Sequence, residues 1–483
     1  MELVDKKIDL LQCSVVKNKV SEVLKDTHCH NALKNLQSNF VITPIDKATG
    51  NVAIICKRFY AMVLLKELGM SDNTSTETYK TLSSSKDEII NSQTQSLKQR
   101  FNLDVNSDNQ CLPQIYWLPK MHKTPTKFRF IIAAPKCAIK PLSKSITSIF
   151  KLFYNQIETY NNKSHFYSGV KTFWVVQNNK PVINSINKLS SKKRGKSMST
   201  FDFSTLYTKI PHEKLIAVLH ELIDFCFQGG TKKKVAVTKF GAKWVSSNSK
   251  CELTFDKDQV KDAIKYLMEN CHFTLGEKLF QQIIGIPMGS DPAPFMANLF
   301  LYYYESRWIK RLKKENLSDA RKFGHTYRFI DDLIAINDGG MFENNIHEIY
   351  PPELELKKEH GGDQVSFLDL DISLIDKGFS IKLFDKRDAF PFSIVRMPYC
   401  SSNMPSNIFY SCIGAEILRI GHVTSNLNDF LNSSNNLLVR MFKQGAKIDR
   451  ISKVLLKMYG RHDTLHNFAT NASVFINMVL QQN

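Results

Sequence analysis

The stretch that most constrains the fold is Tyr327-Arg328-Phe329-Ile330-Asp331-Asp332-Leu333. Two adjacent carboxylates sit between apolar runs, and Asn337-Asp338-Gly339-Gly340 follows. Short apolar runs broken by turn residues read as a β-hairpin, with the acids at its tip. Carboxylates side by side repel, and a divalent cation such as Mg²⁺ relieves that repulsion because it prefers oxygen ligands. On these residues alone a solvated Asp turn fits equally well. A second acidic stretch, Thr200-Phe201-Asp202-Phe203-Ser204-Thr205-Leu206-Tyr207, shifts the balance. It reads as a strand ending at Asp202, with a helix opening near Pro211 and Glu213. Three acids at a strand end and a hairpin tip could converge on one metal pair, an arrangement suited to in-line phosphoryl displacement.

Between the two lies Gln282-Ile283-Ile284-Gly285-Ile286-Pro287-Met288-Gly289-Ser290, leading into an apolar helix from Pro294 to about Ile309. Glycines there allow close backbone approach. In the helix, Phe295, Met296, Leu299 and Phe300 have the spacing of a buried face.

In this order the segments resemble motifs A, B and C of reverse transcriptases. The wording "FDFSTLYTKIPHEKL", "FTLGEKLFQQIIGIPMGSDPAPFMANLFL", "YRFIDDL" and "VSFLDLDISL" is most similar to the Penelope-like element enzymes. The resemblance implies an α+β right-hand polymerase (fingers–palm–thumb) with an antiparallel palm sheet and a helical C-terminal thumb. It implies an RNA-directed DNA polymerase using two Mg²⁺ ions, or Mn²⁺, with RNA template, DNA primer and dNTPs as partners. Asp202, Asp331 and Asp332 would be the catalytic metal ligands, joined by the Phe203 backbone carbonyl. Tyr207 would lie under the incoming sugar, and Gln282 and Gly285 against the template and nascent pair. Ile115 to Ile132 resembles the first two fingers motifs, which makes Arg129 and Lys120 candidate triphosphate ligands. Leu354 to Glu359 resembles motif D, where Lys358, beside Lys357, is a candidate general acid. Phe367, Leu368 and Asp369 resemble the primer grip, with Asp369 outside the metal set. The expected divisions are a helical extension over 1–38, fingers over 39–196, palm over 197–390 and thumb over 391–483. Residues 39–55 read as two strands joined by a Gly-containing turn, resembling the opening of the Penelope-type fingers but with Pro-Ile-Asp-Lys in place of Ala-Asp-Lys-Gly. No stretch resembles the GIY-YIG nuclease that many Penelope-like proteins carry.

Bulk properties agree with a nucleic-acid partner. The 483 residues carry a formal charge of +19, an excess that favours a polyanion. With 43% hydrophobic and 23% charged residues the chain is globular, and its length calls for two or three subdomains. The 10 cysteines include no C-x-x-C pair, which argues against a zinc ribbon and for a reducing compartment. A charged N-terminus and the lack of an apolar run of about 20 residues predict an intracellular, soluble protein without membrane contact. A basic loop at 189–196 suits nuclear import or phosphate contact, and a solvated loop equally well. Two rivals stay open: a catalytically silent binding protein derived from such an element, and a DNA-templated or terminal-transferase polymerase.

Overall fold

The computed structural model describes residues 26–71, 75–105, 110–133, 136–228, 234–246, 251–397, 399–402 and 404–481. Most of the expected N-terminal helical extension lies outside the described residues, which begin with helix α1, Thr27–Asn39. The chain divides into two compact units. One comprises the described residues up to Val63, Pro119–Lys127 and those from Arg387 onward; the other comprises Leu64–Leu118 and Phe128–Lys386.

In the first unit, β1 (Phe40–Ile45) and β2 (Ala48–Cys56) pair antiparallel. The sequence points to a glycine turn here, but the connection is Asp46-Lys47, with Lys47 at φ 63°. Gly50 lies within β2 instead, and neighbouring Asn51 brackets Ser393 and Val395 with two side-chain hydrogen bonds. Helix α2 (Lys57–Glu67) follows. The C-terminal part of this unit is helical as expected. Its described residues form the α-helices numbered here α13 (Ser406–Val423), α14 (Leu427–Lys443), α15 (Ile448–Tyr459) and α16 (Ala472–Leu480). Apolar residues recurring every three to four positions build its core from Ile413, Ile417, Phe430, Leu438, Ile451, Leu455 and Phe475.

The second unit carries two sheets that matter for the site. The five-stranded one runs β3 (Tyr79–Leu82), β11 (Lys278–Gln282), β10 (His272–Leu275), β4 (Gln114–Lys120), β5 (Lys127–Ala133). Strand β3 falls in a polar segment rich in Ser and Thr. Its Tyr79 packs edge-on against Phe273, so tertiary contact overrides weak local propensity. Helix α3 (Lys86–Phe101) opens with a Ser85–Glu88 capping box.

The four-stranded sheet is antiparallel, in the order β12 (Thr326–Phe329), β13 (Asp332–Ile336), β6 (Met198–Phe203), β14 (Leu356–Gly361). Helix α4 (Lys140–Ser168) buries Ile146, Ile149, Phe150 and Phe153 in the same core as α7 (His212–Phe227), α8 (Lys257–Glu269) and α9 (Ala293–Glu315). Between α4 and β6 comes α5 (Lys180–Ser191), and between β6 and α7 the short α6 (Leu206–Lys209). Helix α9 runs on to Glu315, past the expected end near Ile309. Met296, Leu299 and Phe300 are buried and Phe295 packs partly buried on the core. Short helices α10 (Leu317–Lys322), α11 (Met341–Asn344) and α12 (Ile346–Ile349) complete the helical layer. Between α7 and α8 lies a small sheet of β7 (Lys234–Thr238), β8 (Gly241–Val245) and β9 (Thr254–Asp256), while 229–233 and 247–250 lie outside the described residues. A further three-stranded sheet, β15 (Gln364–Phe367), β16 (Leu370–Ile375) and β17 (Gly378–Leu383), follows β14.

Candidate active site

Strands β12 and β13 are joined by two residues, Ile330 and Asp331, because Phe329 pairs directly with Asp332. Ile330 adopts φ 56°, a conformation that a β-branched side chain resists. On the other side of β13, Asp332 is the register partner of Asp202 on β6. Side chains of paired residues share a sheet face, so these two carboxylates point the same way. The turn adds the third: carboxylate oxygens of Asp202, Asp331 and Asp332 all lie within 4.8 Å of one another. The Phe203 N–H donates to the Asp331 carbonyl at 3.2 Å, tying strand end to hairpin tip.

This gathering is electrostatically costly. Burial, then the charges of Asp331, Asp202 and Glu359, push the Asp332 carboxyl up to about 7, against a smaller opposing pull from Lys386. Glu359 lies at an irregularity in β14, between Lys358 and His360, where the register on β6 shifts. The three acids thus concentrate negative charge at one partly buried place. All-oxygen donors in this number fit a hard divalent cation.

An aromatic and a cation border the acids. Tyr207, half-buried on α6, has its hydroxyl pushed up to about 12 by burial and by Asp331, while Arg328 and Arg129 oppose. Arg129, half-buried on β5, is thus within electrostatic reach of the same ring. The glycine segment explains how these parts meet. Gly285 has φ 85°, and a Cβ there would collide with the Tyr207 carbonyl oxygen. The N–H groups of Gly285 and Ile286 donate to the carbonyls of Ile210 and Tyr207, both at 2.8 Å. Gly289, φ 115°, similarly lets the turn press on Ile132 of β5, whose N–H donates to Met288 at 2.8 Å. One loop thus fixes both the segment bearing Tyr207 and the strand bearing Arg129.

The remaining candidates sit as follows. Gln282 is buried at 4% exposure; its amide donates to the Ile284 carbonyl at 2.9 Å, and its side-chain oxygen has no hydrogen-bond partner among the described residues. Lys358 pairs with Glu343 at 2.6 Å and sits opposite Phe201. Its neighbour Lys357 is the register partner of Asp202, hence on the face of the acids, and contacts Glu355 at 2.9 Å. Lys120 ends β4 and belongs to the other unit. Phe367, Leu368 and Asp369 form the turn between β15 and β16, with Leu368 at φ 56°. Asp369 accepts from the Asn179 amide at 2.6 Å and lies outside the three-acid cluster.

Arg328, inside the hairpin motif, has no role predicted from sequence. Its guanidinium is fully buried and makes five hydrogen bonds: two to the Glu305 carboxylate (2.5 and 3.1 Å), two to Asn298 (2.8 and 3.2 Å) and one to the Ile330 carbonyl (3.0 Å). Tyr350 donates a further bond to Glu305 at 2.8 Å. Removing one partner of such a pair costs about 3–5 kcal/mol, since the other charge is stranded in the core. The available signal was a lone Arg in an apolar strand and a lone Glu in the aromatic-rich "LYYYESRW" of α9.

Residues 119–349 match the family model for reverse transcriptase (RNA-dependent DNA polymerase), a span holding all three acids, Arg129, Tyr207 and the glycine turn. Residues 119–349 are a reverse transcriptase domain. The reverse transcriptase domain makes the chain an RNA-directed DNA polymerase, a nucleotidyltransferase. The fold agrees. Telomerase from Candida albicans, solved in complex with a TWJ fragment of telomeric RNA, superposes with a TM-score of 0.60 at 13% identity, covering 93% of this chain and 72% of that one. Apo telomerase from Candida tropicalis gives 0.49 at 12% identity, with 92% and 74% covered. The architecture is the right-hand polymerase fold, mixed helix and antiparallel sheet. No curated protein matches the sequence. Among the described residues no helix is long and apolar enough to cross a membrane.

Proposed function

We propose that the chain extends a DNA primer 3′-OH with dNTPs on an RNA template, using two Mg²⁺ ions, and that it derives from a Penelope-like retroelement. The observation that carries the catalytic reading is the convergence of Asp202, Asp331 and Asp332 to within 4.8 Å at one end of the central strand pair β13 and β6. These three, with the Phe203 carbonyl, would hold the metals, and Mn²⁺ would substitute. When bound, the ions supply charge stabilisation to the attacking and leaving oxygens.

The chain's own residues do the rest. Arg129 neutralises the triphosphate, as a planar cation suited to phosphate oxygens. Tyr207 walls the sugar site and disfavours a 2′-OH. Lys357, on the face of Asp202, is better placed than Lys358 to protonate the departing pyrophosphate, because Lys358 stands on the opposite sheet face, across from Phe201. The helices from Ser406 onward serve as the thumb, gripping duplex backbone without reading sequence. The Penelope-like origin rests on motif wording, above all "FDFSTLYTKIPHEKL" and "VSFLDLDISL", and with it goes an intracellular, nuclear site of action.

Extension of a DNA primer on an RNA template, with Asp202→Ala alongside, tests this reading. Product from the native chain alone supports it. Salt-sensitive binding without product from either would favour a silent binding protein, and equal product on DNA and RNA templates would favour a polymerase of broader template use.

A further inference from the structure

We propose that Arg328 is a positioning residue for the metal-binding turn, locking it to helix α9. The inference rests on the metal reading given above and adds a component to it. Three observations carry it. The guanidinium offers five N–H donors, and each is spent: on Glu305, on Asn298 and on the Ile330 carbonyl. That last bond holds the peptide group immediately before Asp331, so it sets how the Asp331 backbone is presented. Ile330 itself is held at φ 56°, a geometry its side chain would leave if the turn were free. The anchors on the far side, Asn298 and Glu305, lie on α9, the helix opened by the Gly285–Gly289 turn that grips the Tyr207 carbonyl. One buried cation therefore joins the glycine turn's helix to the hairpin tip. Arg is required by shape: a Lys ammonium has three donors on a point charge and cannot reach Glu305, Asn298 and Ile330 together.

The test uses the full chain as native protein, Arg328→Lys, Asn298→Ala and, as a core comparator away from the hairpin, Leu142→Ala. Asn298→Ala leaves the Glu305 pair intact and keeps the test usable if Arg328→Lys fails to fold. Mg²⁺ and Mn²⁺ are titrated against melting temperature, and single-turnover extension and primer–template affinity are measured in parallel. The expected result for both hairpin variants is a metal midpoint raised about 10–100-fold, the range for loss of a group that orients ligands, with primer–template affinity held. Leu142→Ala lowers the melting temperature and leaves the metal midpoint in place. Unchanged metal midpoints in the hairpin variants, with activity falling only in step with stability as in Leu142→Ala, overturn the positioning role alone. A native chain whose melting temperature ignores both ions overturns the metal reading, and this inference with it.

Discussion

Replacing Asp332 with Asn should stabilise the metal-free protein, and only at neutral to alkaline pH. In the folded chain the Asp332 carboxyl is pushed up to about 7 from 3.8, first by burial and then by Asp331. A folded-state value above the unfolded one means that the native protein keeps its proton where the unfolded chain has lost it. Native stability therefore falls as pH rises from about 4 to about 7, and stays low above that. Three units at ~1.4 kcal/mol each give an upper figure of about 4 kcal/mol, and partial solvent access brings it to about 2–4 kcal/mol. Asn has the shape of the protonated acid and no charge to desolvate, so Asp332→Asn should recover that amount near pH 8 and almost nothing near pH 4. Urea unfolding in EDTA at the two pH values, native against variant, reads the difference directly. Saturating Mg²⁺ at the higher pH should close the gap from the native side, since the ion stabilises only the chain that binds it. A gain equal at both pH values, or absent at pH 8, would refute the reasoning, because the penalty would then not be the ionised carboxylate.

Four other outcomes are expected. Asp331→Asn should abolish primer extension while leaving primer–template affinity near native, checked by filter binding and extension side by side. Tyr207→Ala should raise ribonucleotide incorporation relative to deoxynucleotide, read from the ratio of kcat/KM values. Lys357→Ala should slow single-turnover extension by about 100-fold or more, whereas Lys358→Ala should slow it less; the reverse order would return the acid role to Lys358. Gly285→Ala should cost about 1–3 kcal/mol from its positive φ alone and disturb the Tyr207 segment it touches, seen as lowered melting temperature together with weakened sugar discrimination.

Much of this protein was legible in its sequence, for local reasons. Short apolar runs gave β6, β12 and β13, an acidic pair between such runs gave the hairpin tip, and helical spacing of Met296, Leu299 and Phe300 gave the buried face of α9. These follow from side-chain periodicity and turn chemistry, which act over a few residues. Tertiary structure decided what depends on partners far along the chain. Strand β3 exists because Tyr79 finds β11 and Phe273, since its own polar segment has little strand preference. Which of two neighbouring lysines shares the face of Asp202 turned on the register of β14 against β6, where a shift of one residue exchanges the faces. The raised Asp332 carboxyl needed Asp202, 130 positions earlier, to be set across from it. Arg328 and Glu305 each read alone as a charge stranded in apolar sequence; only folding makes them partners, since a buried charge is tolerated once its counter-ion is supplied in space.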